Sequence, residues 1–137
     1  MAGQAVLLRP IAPGATAPAR EPMADRIPPI DLIHLARQTH GDGDLETELL
    51  GLFRRQAGQI MERLSADLPG DAIPWRADLA HTLKGSARAI GATRVAIKAE
   101  IYEVQARDGK PDLTPALAAL GRAVDDACRA IGDLLRG

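Results

Sequence analysis

The last segment of the chain carries apolar residues at alternating steps of three and four positions, without a miss. These residues are Leu117, Leu120, Val124, Ala127, Ile131 and Leu134. The spacing keeps them on one face of an α-helix, and antiparallel helices that cross at about 20° bury a face of this kind. Thr114 and Pro115 supply an N-cap and a first-turn proline. The segment therefore predicts a long bundle helix that begins near residue 114.

Three earlier segments repeat this helical period. The first runs from its N-cap, Asp44, to about Leu68. The second runs from about residue 71 to Ile90, and the third runs from its N-cap, Thr93, to Arg107. Their apolar positions are, in chain order, Leu49, Phe53, Ala57, Ile60, Leu64 and Leu68; Leu79, Ala80, Leu83, Ala87 and Ile90; and Val95, Ala99, Tyr102 and Ala106, with Ile97, Ile101 and Val104 widening the last face. We expect these faces to be buried together in one core.

A shorter helix is expected after the prolines at positions 28 and 29. Its apolar side would consist of Ile30, Ile33, Leu35 and Ala36, and it would end at the turn of residues 41–43. Residues 1–26 contain four prolines and little to bury, and we interpret them as a disordered N-terminal tail. No segment shows the alternation typical of a β-strand. The predicted fold is all-α, an antiparallel up-and-down four-helix bundle over residues 27–137, with the short extra N-terminal helix packed across one end.

The composition excludes several classes of protein. With 17 basic and 18 acidic residues, the chain lacks the surplus of positive charge that nucleic-acid or anionic-membrane binding needs. Its one cysteine cannot form an internal disulfide bond. No apolar run approaches the roughly 20 residues of a transmembrane helix, and the run at residues 5–8 is too short for a signal peptide. We therefore expect a cytoplasmic protein, and a monomer because one chain already supplies four long helices.

Residues 80–87, with the sequence AHTLKGSA, place polar residues on the outer face of the third long helix. At about 100° per residue, His81, Gly85 and Arg88 point away from the apolar face, and Lys84 lies at its boundary. An exposed imidazole is a nitrogen nucleophile at neutral pH, and a lysine one turn away can pair with a phosphoryl oxygen. A glycine in mid-helix costs about 1 kcal/mol relative to alanine. We attribute Gly85 to the close approach of a second protein.

The segment from Ala80 to Ala92 resembles the signature of histidine-containing phosphotransfer (HPt) domains of bacterial phosphorelays. The matching positions are His81, Leu83, Lys84, Gly85, Ser86 and Gly91. The helix order and the domain length are also similar to those of this family, so the resemblance extends over about residues 27–137.

The resemblance implies that His81 accepts a phosphoryl group on Nε2 from the phospho-aspartate of a receiver domain and passes it to the aspartate of another receiver. Lys84 would stabilise the phosphoryl oxygens, and Gly85 would give the receiver access. The small Ser86 would keep the site open and could offer a hydroxyl. The implied partners are response-regulator receivers and a hybrid or sensor histidine kinase. This chain would bind no cofactor or metal, and the Mg²⁺ needed for transfer would belong to the receiver.

Some members of the family use a Gln or Glu on the following helix to hold the histidine through Nδ1. Glu103 has the matching spacing here, and Glu100, one turn earlier, is the alternative because the register between two helices is not visible in a sequence. A carboxylate at this position would orient the imidazole as the acid of a catalytic triad does. Arg88 is a further candidate, for steering an acidic receiver surface, and could equally be a solvated arginine.

Three alternative functions compete with this one. A non-catalytic adaptor of the same fold would bind receivers or a kinase without transferring phosphate, but His81 and Lys84 are both intact. A kinase-dimerisation module would need two helices per chain rather than four, and a di-metal bundle would need Glu-x-x-His patterns that the chain lacks. With no Gly-rich phosphate loop for ATP, we expect a stoichiometric carrier rather than an enzyme. Four residues are interpreted as packing or solvated side chains: His34, His40, Trp75 and Cys128.

Overall fold

Five α-helices make up the part of the chain that the structure describes. The structure is a computed structural model, and it describes residues 26–66 and 73–137. The helices are α1 (Leu32–Thr39), α2 (Gly43–Ser65), α3 (Ile73–Ile90), α4 (Thr93–Arg107) and α5 (Thr114–Arg136). No β-strand occurs within these two ranges, and the all-α prediction is confirmed. The predicted N-terminal tail, apart from its last residue, and Leu68 lie outside the described residues.

The four long helices pack in a ring that follows their order in the sequence. Each of α2 and α4 contacts both α3 and α5. Arg76, near the start of α3, donates hydrogen bonds to the carbonyl oxygens of Leu64 and Ala66 at the end of α2. Arg107, the last residue of α4, reaches back to Asp78 near the start of α3. Neighbouring helices therefore run in opposite directions, as expected for an up-and-down bundle.

Apolar side chains from all four long helices fill one core. The predicted positions that are buried are Phe53, Ala57, Ile60, Leu64, Ala80, Leu83, Ala87, Ile90, Val95, Ala99, Tyr102, Ala106, Leu120, Val124, Ala127 and Ile131. Alanine is frequent among them, and its small side chain lets the helix axes approach closely.

Some residues predicted for the core lie outside it. Val104 is about 200° around α4 from the buried Tyr102, so it points towards solvent. Ile101 is exposed as well, and so is Leu134 in the last turn of α5. The predicted core residues that are only half-buried are Leu49, Leu79, Ile97 and Leu117. The apolar faces of these helices are therefore narrower than the sequence suggested.

Helix α1 packs against the end of the bundle where α3 stops, and a glycine permits this contact. The backbone N–H of Asp31 donates to the carbonyl oxygen of Gly91 at 2.8 Å. Gly91 has φ +84°, and a Cβ atom there would lie 2.8 Å from the carbonyl oxygen of Asp31, so only glycine lets the two backbones approach. Ile30 and Leu35 are buried in the core. The predicted apolar positions that face solvent instead are Ile33 and Ala36.

The helix boundaries differ from the prediction at both ends of α2 and at two further caps. Asp42, rather than Asp44, caps α2, because Asp42 has the extended backbone of an N-cap and its side chain accepts from the N–H of Asp44. The helix then ends at Ser65, short of the predicted end. Thr93 and Thr114 are the first residues of α4 and α5 rather than their caps.

The four residues interpreted as packing or solvated have different surroundings, and among the described residues Nε2 of His34 is buried with no hydrogen-bond partner. The guanidinium carbon of Arg63 lies over the ring of Trp75, 4.4 Å from the ring centroid. Cys128 is half-buried against the core, and this burial raises the pKa of its thiol. His34 is half-buried, whereas His40 ends α1 and faces solvent. In the described ranges, no helix combines the length and the hydropathy needed to cross a membrane.

Candidate functional site

The outer face of α3 carries the histidine of the signature segment. Ala80, Leu83 and Ala87 are fully buried, and they fix the rotation of the helix so that His81 points outward. The His81 side chain is 62% exposed. A Cβ atom added at Gly85, one turn further on, would meet no atom within 4 Å. A second protein can therefore approach the ring across an open part of the helix surface.

A buried glutamate on α4 lies behind the histidine. Nδ1 of His81 lies 3.0 Å from Oε2 of Glu103, within hydrogen-bonding distance, and only 7% of Glu103 is exposed. The other carboxylate oxygen, Oε1, lies 3.0 Å from Nζ of Lys84. Nε of Arg107, one turn later on α4, donates to Oε2 at 3.1 Å. One carboxylate thus joins an imidazole and two cations.

Glu100 occupies a different place in the site. Its side chain is 50% exposed, and its Oε1 accepts from Nη2 of Arg88 at 3.0 Å. The same oxygen lies 3.8 Å from Nζ of Lys84. Of the two glutamates that the sequence left open, Glu103 is the one in contact with His81. Arg88, the predicted steering residue, lies two turns beyond His81 on the same exposed face of α3, paired with Glu100.

The charges around Glu103 determine its protonation state. Burial raises the pKa of this carboxyl, but the contacts with Lys84, Arg107 and His81 outweigh burial and hold the pKa below its ordinary value. The carboxyl is therefore ionised at neutral pH and can only accept hydrogen bonds. In the neutral imidazole the proton accordingly lies on Nδ1, and the lone pair is left on Nε2. Nε2 is the ring nitrogen that points away from Glu103.

Lys84 is bound within the protein rather than extended into solvent. Its side chain is only 14% exposed, and its ammonium pairs with both Glu103 and Glu100. The flexible stem of a lysine allows the ammonium to turn towards another anion nearby.

Two residues of the site, Arg107 and Asp78, were not predicted from the sequence. Arg107 contacts Glu103, and its Nη2 donates to Oδ1 of Asp78 on α3 at 3.2 Å. The spacing of four residues between Glu103 and Arg107 is typical of an ion pair on a helix and could have indicated the first contact. The second contact depends on how α3 and α4 align, and the sequence carries no signal for it.

A known protein family matches most of the bundle. A model of the Hpt domain matches residues 48–134. The chain belongs to the Hpt-domain family. The matched range contains His81, Lys84 and Glu103, and Hpt domains serve histidine phosphotransfer in phosphorelays, together with receiver domains and histidine kinases. No curated protein and no solved structure matches the chain.

A shallow apolar groove runs beside the histidine face of this Hpt domain. It lies between α2 and α3 and has a volume of about 380 Å³. Its walls are formed mainly by Leu49, Leu52, Phe53, Ala89 and Ile90. Ser86 also lines it, because this residue lies about 140° around α3 from His81 and faces α2. Ser86 is thus part of the surface next to the site rather than a neighbour of the imidazole ring.

Replacing Glu103 with glutamine is expected to lower the stability of this Hpt domain at neutral pH by about 1–3 kcal/mol, because a buried amide does not neutralise Lys84 and Arg107. The ordinary pKa of the carboxyl is 4.5, and in the folded protein it lies lower. The ionised carboxylate therefore contributes its full stability above the ordinary pKa, and this contribution is lost as the pH falls through the folded-state pKa.

Urea unfolding of both proteins between about pH 7 and about pH 3 measures this effect. The difference in unfolding free energy between the wild type and Glu103→Gln should shrink as the solution becomes acidic. Glu48→Gln, on the exposed surface of α2, is the matched control and should differ little from the wild type at any pH. A gap for Glu103→Gln that keeps its size in acid would contradict the assignment of a buried, ionised carboxylate.

Proposed function

We propose that this Hpt domain is a phosphorelay intermediate in which His81 accepts a phosphoryl group from the aspartyl phosphate of one receiver domain and passes it to an aspartate of another. The observation that carries the proposal is the pairing of an exposed imidazole with a buried, ionised carboxylate, His81 Nδ1 to Glu103 Oε2 at 3.0 Å. This pairing leaves the Nε2 lone pair facing the side from which a partner can approach.

The chemical step begins when the Nε2 lone pair of His81 attacks the phosphorus atom of the receiver's aspartyl phosphate. A nitrogen–phosphorus bond forms, the bond from phosphorus to the aspartate oxygen breaks, and its electron pair leaves on the aspartate carboxylate. The proton on Nδ1 stays in place, so the phosphorylated ring is cationic and is stabilised by Glu103. When a second receiver's carboxylate attacks the phosphorus, the electron pair of the nitrogen–phosphorus bond returns to Nε2.

Lys84 and Gly85 have complementary roles in this proposal. The Lys84 ammonium turns from the carboxylates to the phosphoryl oxygens and stabilises the charge that develops there during transfer. Gly85 leaves space for the receiver to bring its aspartate close to Nε2. The Mg²⁺ needed for transfer is proposed to belong to the receiver.

The receiver is proposed to dock over the face formed by His81, Gly85 and Arg88 together with the neighbouring groove. An apolar groove beside a polar rim is the usual arrangement of a protein interface, and the exposed Leu52 adds to its apolar area. Arg88 contributes the polar rim and can exchange its partner Glu100 for an acidic group of the receiver. The proposed setting is the bacterial cytoplasm, where a single unpaired cysteine stays reduced.

Incubation with receivers that carry radiolabelled aspartyl phosphate tests the proposal. We expect label to move onto the Hpt domain, in a form that is stable in base and lost in acid, as a phosphoramidate is. Label should then move on to an unphosphorylated second receiver. Receivers that bind the domain but leave it unlabelled would support the non-catalytic adaptor instead.

A further inference from the structure

The carboxylate behind His81 is held from two sides. Lys84 approaches one oxygen, and Arg107 donates to the other, Oε2, which is also the oxygen that faces the imidazole. The guanidinium of Arg107 continues to Asp78 at 3.2 Å. The chain of contacts from His81 through Glu103 and Arg107 to Asp78 therefore begins and ends on α3 and crosses to α4 in between.

Phosphorylation of His81 would change the net charge around these contacts. In the described part of the site, three cations, Lys84, Arg88 and Arg107, face three carboxylates, those of Asp78, Glu100 and Glu103. A phosphoryl group on His81 carries about two negative charges, and because the ring that bears it is cationic, the site gains about one negative charge in total. Because these positive and negative side-chain charges are equal in number, a cation that pairs with the phosphoryl group has to give up its ion pair with a carboxylate.

Lys84 is the cation that can move from its carboxylate partners to the phosphoryl group. It sits one turn from His81 on the same helix, and its ammonium is a single point of charge on a flexible stem. Arg107 is held at once by Glu103 and Asp78, and the fork of the guanidinium suits two carboxylates. Once Lys84 has moved, Arg107 is the cationic side chain that still contacts Glu103 besides the phosphorylated ring itself, and it offsets the loss of one partner from this buried carboxylate.

We infer that Arg107 is a positioning residue, which keeps Glu103 ionised and directed at Nδ1 of His81 while Lys84 moves to the phosphoryl group. Asp78 fixes the guanidinium in the orientation that this requires. The inference rests on the proposed phosphotransfer function, but the orientation of the imidazole can be measured in the absence of any transfer.

The first measurement is the tautomer of His81, read from the ¹⁵N chemical shifts of its ring nitrogens at a pH where the ring is neutral. The wild type should hold the proton on Nδ1. In Arg107→Gln we expect a mixture of the two tautomers, because Glu103 then has a less fixed orientation. Arg107→Lys should recover part of the Nδ1 form, since a lysine ammonium can pair with Glu103 but lacks the planar fork that fixes the orientation of the cation between Glu103 and Asp78. Asp78→Asn should shift the populations in the same direction by a smaller amount.

The second measurement is single-turnover transfer from a phosphorylated receiver. Arg107→Gln should lower the rate constant at saturating receiver by about tenfold, an effect comparable to losing the groups that orient metal-binding histidines. The dissociation constant of the receiver should stay unchanged. The matched control is Arg129→Gln on α5, which removes an exposed arginine paired with Asp126 and should leave both readouts at wild-type values.

The outcomes separate this inference from the proposed function. An Arg107→Gln protein with the wild-type tautomer and the wild-type rate would overturn the positioning role, even if it were less stable. If the wild type took no phosphoryl group from any receiver, the proposed function would fail, and the ¹⁵N shifts would still decide whether Arg107 orients His81 through Glu103.

Discussion

Transfer of a phosphoryl group to this protein is expected to disappear when His81 is replaced by glutamine, with a loss of more than about 10³-fold, because the reacting nucleophile itself is removed. The amide nitrogen of glutamine has no available lone pair, so it cannot attack phosphorus. The amide can still donate to Oε2 of Glu103, and the exposed position of residue 81 means that no core contact is lost. The fold and the affinity for receivers should therefore be retained.

Single-turnover transfer of radiolabel, combined with a binding measurement on the same receiver, checks this expectation. His34→Gln is the matched control, since it makes the same exchange at the half-buried histidine of α1, and it should accept label at the wild-type rate. Label that still reached His81→Gln in an acid-sensitive form would place the acceptor elsewhere. Loss of receiver binding together with loss of transfer would show that the imidazole also contributes to docking.

The helical period was enough to predict the bundle, because burial of one face per helix is a property of each segment alone. Leu83 and Ala87 are buried where the period predicts, and this fixes the rotation of α3 and hence the outward direction of His81. The period was less informative at the edges of a face. Ile101 and Val104 are apolar but exposed, since apolar character does not determine how far a neighbouring helix extends around α4.

The interior of the site could be predicted only in part, because it depends on the alignment of α3 with α4. Glu100 and Glu103 lie about one turn apart on α4, about 5 Å along its axis. The family resemblance favoured Glu103 by its spacing, but the register between the two helices, which decides the contact, is not visible in the sequence. The structure gives Glu103 the contact with His81 and leaves Glu100 exposed. For the same reason the sequence carried no sign that Arg107 reaches Asp78, which is 29 positions away along the chain.

Replacing Lys84 with alanine is expected to slow phosphoryl transfer at saturating receiver by about 10²-fold, the size typical for the loss of one group that stabilises charge in a transition state. Receiver affinity should stay within about twofold of the wild type, because Lys84 is mostly buried and adds little to a docking surface. Glu103 keeps its contacts with Arg107 and His81 in this variant, so the imidazole should remain oriented. The expected defect is thus confined to the chemical step.

The dependence of the transfer rate on receiver concentration separates this defect from one in docking. Gly85→Gln provides the contrast, because its side chain would project into the open space beside His81 and should weaken receiver binding while leaving helix content unchanged. Lys84→Ala should lower the limiting rate at an unchanged half-saturation, whereas Gly85→Gln should raise the receiver concentration needed for half-saturation. A Lys84→Ala protein with the wild-type limiting rate would mean that the ammonium stays with Glu103 and Glu100 during transfer, and the phosphoryl charge would then have to be stabilised by the receiver alone.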